Sequence, residues 1–189
     1  DFFLMSHCPY GLMFVNNILP YIVQEHGETM DWAPHYIVGF KDGKASSLHG
    51  DAELNEDRYQ VCLFKKHGGE EWLKYVRCYA SFLENESKKQ QAAPKRNIDW
   101  NAKYVQAHSF CANNPALDAK ALSVCVKSEA DALLKADAEL GTKLNAQASP
   151  TSIFNCTKSV SGAIDYSLLK PNLCSWYDEG ASPQACTQF

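Results

Sequence analysis

The chain opens on a short apolar run, DFFLMS, and then changes period. In YGLMFVNNILPYIVQEHG the apolar residues 12, 15, 18, 19 and 22 recur at helical spacing, and Gly27 stands where a C-cap belongs. Pro20 either kinks this helix or starts a second segment. MDWAPHYIVGF reads as a strand despite Pro34, closed by the turn KDGK. From about Ser46 to Gly141 the pattern is helical, through DAELNEDRYQVCLFKKH, GGEEWLKYVRCYASFLEN, IDWNAKYVQAHSFCANN and PALDAKALSVCVKSEADALLKADAELG. Within that stretch the polar run Lys88 to Asn97 is expected to be an exposed loop. Strand character returns in PTSIFN and KSVSGA, joined by a turn at Cys156-Thr157. A helix, DYSLLKPNLCSWY, follows, and the tail closes at Cys186.

The order is strand, helix, strand, a run of helices, strand, strand, helix. Without the middle block it is β-α-β followed by β-β-α, the thioredoxin arrangement. The expectation is an α/β chain: a thioredoxin-like domain from residues 1–45 and 142–189, with an inserted all-helical lobe at 46–141. At 189 residues and 21.1 kDa the chain can bury one sizeable core with such a lobe.

Eight cysteines, at 8, 62, 78, 111, 125, 156, 174 and 186, alter the picture most. They lack paired Cys-x-x-Cys spacing and His-x-x-x-His partners, so they read as disulfides and no metal or other cofactor is expected. An even, well-spaced set points to an oxidising compartment, the secretory lumen or the extracellular space. The sequons at Asn85 (NES) and Asn155 (NCT) point the same way and make both residues candidate glycosylation sites. No signal peptide is visible, and the expectation is a processed or trimmed chain. A net charge of −4 with scattered basic residues leaves no footprint for nucleic acid. No apolar stretch approaches a membrane span.

The candidate chemistry lies in SHCPYG. Cys8 follows a strand and precedes a helix, where unpaired N–H groups and the positive end of the helix dipole favour a thiolate. Pro9 fits the first helical turn. His7 would add a cation or a proton relay beside the sulfur; the alternative is a half-buried cysteine with His7 merely at the surface. Gly11 occupies the place of a second cysteine, so Cys8 could form a mixed disulfide but would need an outside thiol, such as glutathione, to resolve it. The second element is Ser149-Pro150 before a strand: a cis-proline facing Cys8, with Ser149 offering backbone groups to an extended peptide. The catalytic candidates are therefore Cys8 and His7, and the substrate-binding candidates Pro9, Tyr10, Gly11, Ser149 and Pro150.

With Cys8-Pro9-Tyr10 and Ser149-Pro150-Thr151 in place, the chain resembles the thioredoxin-like oxidoreductases with a helical insertion, the DsbA-like group. SLHGDAELNEDRYQVC is similar to the His-Gly-rich segment of gamma-interferon-inducible lysosomal thiol reductase, with Ser47 and Leu54 where that family has cysteines. NEDRYQVCLFKKH, CVKSEADALLKADAELG through SPTSIFN, and NLCSWYDEGASPQAC resemble most fully the luminal thioredoxin-like region of plant vacuolar sorting receptors and related single-domain prokaryotic proteins. That resemblance implies a secretory or extracellular setting and a ligand-binding rather than catalytic use of the fold.

Proximity along the chain suggests the pairings Cys62–Cys78, Cys111–Cys125 and Cys174–Cys186, leaving Cys8 and Cys156 apart from one another. Trp32, Trp72, Trp100 and Trp176 read as packing residues. His26, His35, His49, His67 and His108 show no ligand spacing. Glu53, Glu56 and Asp57 read as a solvated helix face. His49-Gly50 could border the groove near Cys8 without a role of its own. Three functions fit: a monothiol disulfide reductase or isomerase, a module binding a protein or peptide partner in the same groove, or a structural domain of a larger extracellular assembly.

Overall fold

A computed structural model describes residues 1–93, 97–178 and 181–186. The central strand is β1 (Phe2–Leu4), and all of its residues are buried, as a strand covered on both faces requires. Phe2 meets Phe14, Trp32 and Phe154, whereas Phe3 stacks on His35 and packs with Ala146 and Ile153. β2 (Pro34–Tyr36) pairs parallel to β1, β5 (Thr151–Phe154) pairs antiparallel to its other edge, and β6 (Lys158–Ser161) pairs with β5. The order β2-β1-β5-β6 is that of a thioredoxin-like sheet. The single strand expected from MDWAPHYIVGF divides in two. β2 stays in the main sheet, while β3 (Gly39–Lys41) leaves it to form a hairpin with β4 (Lys44–Ser46) around Asp42-Gly43.

α1 (Pro9–Asn17) and α2 (Leu19–His26) are separate helices, broken at Ile18 (φ −122°, ψ −56°); Pro20 sits in the first turn of α2, where its missing N–H is harmless. α3 (Asp51–Ala92) is the pillar of the lobe, interrupted at Gly68, whose φ of 78° favours glycine. Its last turns run through Lys88–Ala92, so that part of the expected loop is helix; Pro94–Arg96 lie outside the described residues. α4 (Trp100–Ala112), α5 (Ala119–Ser128) and α6 (Ala130–Lys143) follow, the last two divided at Glu129 where a single helix was expected. α7 (Tyr166–Ser175) is capped by Asp165.

Three disulfides staple the fold: Cys62–Cys125, Cys78–Cys111 and Cys174–Cys186. The six expected cysteines are bonded, but the pairings Cys62–Cys78 and Cys111–Cys125 are wrong. Cys62 and Cys78 sit on opposite sides of the Gly68 break, and their partners lie on different later helices. Cys125 of α5 therefore reaches the first half and Cys111 of α4 the second.

Next to that break, a Cβ on Gly69 would lie 2.6 and 2.9 Å from ring carbons of Trp32. A tryptophan ring packed against Phe2, Phe64 and Trp72 has little room to yield. Gly69→Ala is expected to destabilise the protein by about 1–3 kcal/mol, the usual range for overpacking, and the drop in thermal midpoint measures it.

Candidate active site

The β1–α1 connection carries the site. Cys8 is the N-cap of α1, half-buried, and Pro9 takes the first helical position. Each backbone N–H from Met5 to Cys8 has a defined acceptor. That of Met5 donates to Ser149 Oγ (2.9 Å), that of Ser6 to Asp57 Oδ1 (3.2 Å), that of His7 to Glu53 Oε1 (2.9 Å) and that of Cys8 to Met5 O (3.1 Å). The Cys8 thiol donates to Ser149 O at 3.4 Å, directly before the cis Ser149–Pro150 bond. Cys8 and Ser149-Pro150, 141 residues apart in sequence, thus form one site. Tyr10 stands exposed on the outer face of α1, while Gly11 is buried against Ser149. Cys8 and Cys156 are the free cysteines, and Cys156 is exposed on the β5–β6 turn. Asn85 and Asn155 are both exposed.

His7 does not take the cationic role expected of it. Its ring is 3% exposed, lies on Tyr104 with centroids 3.6 Å apart, and meets the Tyr79 hydroxyl through Nε2 at 2.7 Å. Burial, with a smaller contribution from His49, pushes its pKa down to about 3. Nδ1 is buried without a partner, which a neutral ring tolerates as a bare lone pair and an imidazolium would not. His7 is instead an uncharged wall of a cleft of about 530 Å³. The cleft is lined by His7 and Pro9, which flank Cys8 in the chain, and by Leu12, Leu83, Trp100 and Tyr104, among others.

Glu53, Glu56 and Asp57 correct the sequence reading most sharply. With Gln60 they share one face of α3, but that face is turned inward and all four are buried, Glu53 and Asp57 at 0% exposure. Glu53 Oε1 accepts from His49 Nδ1 (2.8 Å) as well as from His7, and Oε2 accepts from the His49 backbone (3.0 Å). Asp57 Oδ2 accepts from Ser47 Oγ (2.8 Å), and Ser6 Oγ donates to the Glu53 carbonyl (3.3 Å). Glu56 takes the Gln60 amide, the Tyr75 hydroxyl and His108, whose pKa it raises. Desolvation, helped by Glu53, drives the Asp57 carboxyl up to about 8. The signal in the sequence was the spacing 53, 56, 57, 60 itself. It marks a face but does not say which way the face points.

His26 approaches the Cys174 and Cys186 sulfurs, the one such grouping among the described residues. Those sulfurs are joined to each other, and the imidazole nitrogens meet Tyr177 and Tyr166, so it offers no ligand set for a metal.

No curated protein matches the chain. The sequence profile of the gamma interferon inducible lysosomal thiol reductase family matches residues 1–99. That region spans β1, the Cys8 connection, α1, α2 and the whole acidic face of α3. Three disulfides agree with a lumenal or extracellular protein, and no helix among the described residues is long and apolar enough to cross a membrane. A thioredoxin-like sheet with a helical lobe, an accessible thiol at a helix N-terminus and the match over just over half of its length identify the chain as a member of the gamma interferon inducible lysosomal thiol reductase family.

Proposed function

We propose that the protein is a lumenal or extracellular disulfide reductase or isomerase that works through the single thiol of Cys8. The observation that carries this reading is the placement of the Cys8 sulfur at the N-terminus of α1 and against the Ser149 carbonyl. The first favours a thiolate, and the second lies where an extended substrate chain can add as a strand. The Cys8 thiolate attacks one sulfur of a substrate disulfide. The new Cys8–substrate bond forms as the old S–S bond breaks, and the other substrate sulfur leaves as a thiolate that takes a proton from solvent. Gly11 offers no second thiol, so an external monothiol of the glutathione class attacks the substrate sulfur of the mixed disulfide and regenerates Cys8. A second equivalent frees the substrate sulfur. Overall, two monothiols become one disulfide and the substrate gains two electrons and two protons.

The cleft lined by His7, Pro9, Trp100 and Tyr104 would hold the residues that flank the substrate cysteine. The same groove fits a protein or peptide partner held without chemistry, and one experiment separates the two readings. The protein is mixed with a disulfide-containing polypeptide, without and then with added monothiol. Without it, a single adduct on Cys8 and no turnover are expected; with it, turnover rises in proportion to its concentration. An adduct confined to Cys156, or none at all, would overturn the proposal.

A further inference from the structure

We propose that Glu53 and Asp57 are positioning residues for the Cys8 thiol, a clasp by which the first turns of α3 hold the loop that carries it. This rests on the reading of Cys8 as the nucleophile. A buried carboxyl loses its hydration and is tolerated only where hydrogen bonds replace it; at a purely structural position an apolar side chain serves as well or better. Here two such carboxyls lie side by side, and their hydrogen bonds end on the two residues directly before Cys8 and on the segment Ser47–His49. They are the acceptors of the Ser6 and His7 N–H groups, both in buried residues. Met5 and Cys8 are held from elsewhere, by Ser149 and by the loop's own turn. The clasp therefore supplies the middle of the connection. A slip of the loop there moves the sulfur off the N-terminus of α1 and off the Ser149 carbonyl together, and displacements of that order are enough to lose a reactive geometry.

The charged and titratable groups around the pair are His7 from the loop, His49 from the segment before α3, Tyr36 from β2, Tyr104 from α4, and Glu56 and Tyr79 from α3 itself. Each carboxyl has a distinct part. Glu53 accepts from three N–H groups at once, the His7 N–H and His49 Nδ1 through Oε1 and the His49 N–H through Oε2; a glutamine can keep its oxygen toward His7, whereas a leucine removes every acceptor. Asp57, with its raised pKa, keeps its proton in the working state, and an asparagine reproduces its shape and its acceptor toward Ser6.

The test is the rate of Cys8 alkylation by iodoacetamide across pH 5 to 9, on the full chain with its disulfides intact. Glu53→Leu, which leaves the buried His7 N–H without its acceptor, is expected to slow the reaction at pH 6 by roughly tenfold, the scale on which an unpaired buried N–H weighs. Gly69→Ala, which weakens the packing on Trp32 but leaves the clasp whole, is expected to leave the rate unchanged. Asp57→Asn should match the wild type at pH 6. Above about pH 8 the wild type should fall below a single-ionisation curve as Asp57 loses its proton beside Glu53, and Asp57→Asn should stay on that curve. A wild-type rate in Glu53→Leu, or an equal slowing in Gly69→Ala, would overturn the clasp. If Glu53→Leu fails to fold, Asp57→Leu, which removes the acceptor of the Ser6 N–H, takes its place: slowing at pH 6 relative to Asp57→Asn is expected, and a rate equal to that of Asp57→Asn would overturn the clasp. Alkylation needs no substrate. A Cys8 that alkylates as described but never turns over a disulfide would remove the proposed activity and leave the clasp standing.

Discussion

A cysteine introduced at position 11 is expected to pair with Cys8 only when Ser149 is shortened to alanine at the same time. The backbone is already suited to the bond: a Cβ on Gly11 would lie 3.6 Å from the Cys8 Cβ, within the disulfide range of about 3.5–4.5 Å. The obstacle lies across the site. That Cβ would sit 2.7 Å from Ser149 Oγ and 3.0 Å from Met5 O, and Ser149 Oγ is fixed there by the N–H of Met5. Gly11→Cys alone must push the hydroxyl away, which adds steric strain to a lost buried hydrogen bond, about 1–3 kcal/mol for each effect. Ser149→Ala loses the hydrogen bond but opens the space, so the double variant should be close in stability to Ser149→Ala. The two substitutions are then strongly non-additive, and a double-mutant cycle in denaturant measures their coupling. Under a mildly oxidising buffer the double variant should lose two mass units as Cys8 bonds to the introduced cysteine. The single variant should keep both thiols. Its turnover should still need an external monothiol, whereas the double variant should release its substrate without one. A single variant that oxidises as readily as the double would show that Ser149 does not close the site to a second cysteine.

This coupling bears on what could be read from the sequence. The position of Gly11 at the missing cysteine was plain from SHCPYG, and Ser149-Pro150 from the strand that follows it. That the two residues touch is a tertiary fact, set by the pairing of β1 with β5, and no local pattern carries it. The order of strands and helices was legible because period and breakers are local properties. Pro20 and Gly27 mark the limits of α2 in the sequence as they do in the structure. The disulfide partners were not legible, since proximity along the chain misleads when one long helix serves two later ones. Nor was the burial of Glu53 and Asp57. A polar face at helical spacing usually points to water, and only the packing of α3 against the Cys8 loop turns this one inward. Ser47 and Leu54 show the same dependence on context. Ser47 supports the clasp by its bond to Asp57, and Leu54 joins the core.

Stability is expected to be greatest from about pH 4 to 6.5 and to fall on either side, because two buried groups of the site titrate in opposite senses. The folded protein holds the Asp57 proton up to about pH 8, while the unfolded chain releases it near 3.8. Between those values the folded state binds the extra proton, so this group's contribution declines steadily as pH rises through the window and is flat outside it. His7 does the reverse. The unfolded chain protonates it near 6.5 and the folded protein only at about 3, so its contribution is complete above 6.5 and declines as pH falls toward 3. From about 3.8 to 6.5 the two slopes cancel. From 6.5 to 8 the Asp57 contribution falls at about 1.4 kcal/mol per pH unit, about 2 kcal/mol in all, and His108, whose pKa Glu56 raises, loses its contribution in the same direction. Below 3.8 His7 removes about 1 kcal/mol by pH 3, and Glu86 and Glu129, held down to about 2 by their lysine partners, add to the acid decline. Denaturant unfolding at half-unit steps of pH measures the profile, and the variants assign its limbs. Asp57→Asn should make the alkaline decline shallower and His7→Phe the acid one. A wild-type stability that climbs from pH 6.5 to 8 would contradict a buried, protonated Asp57.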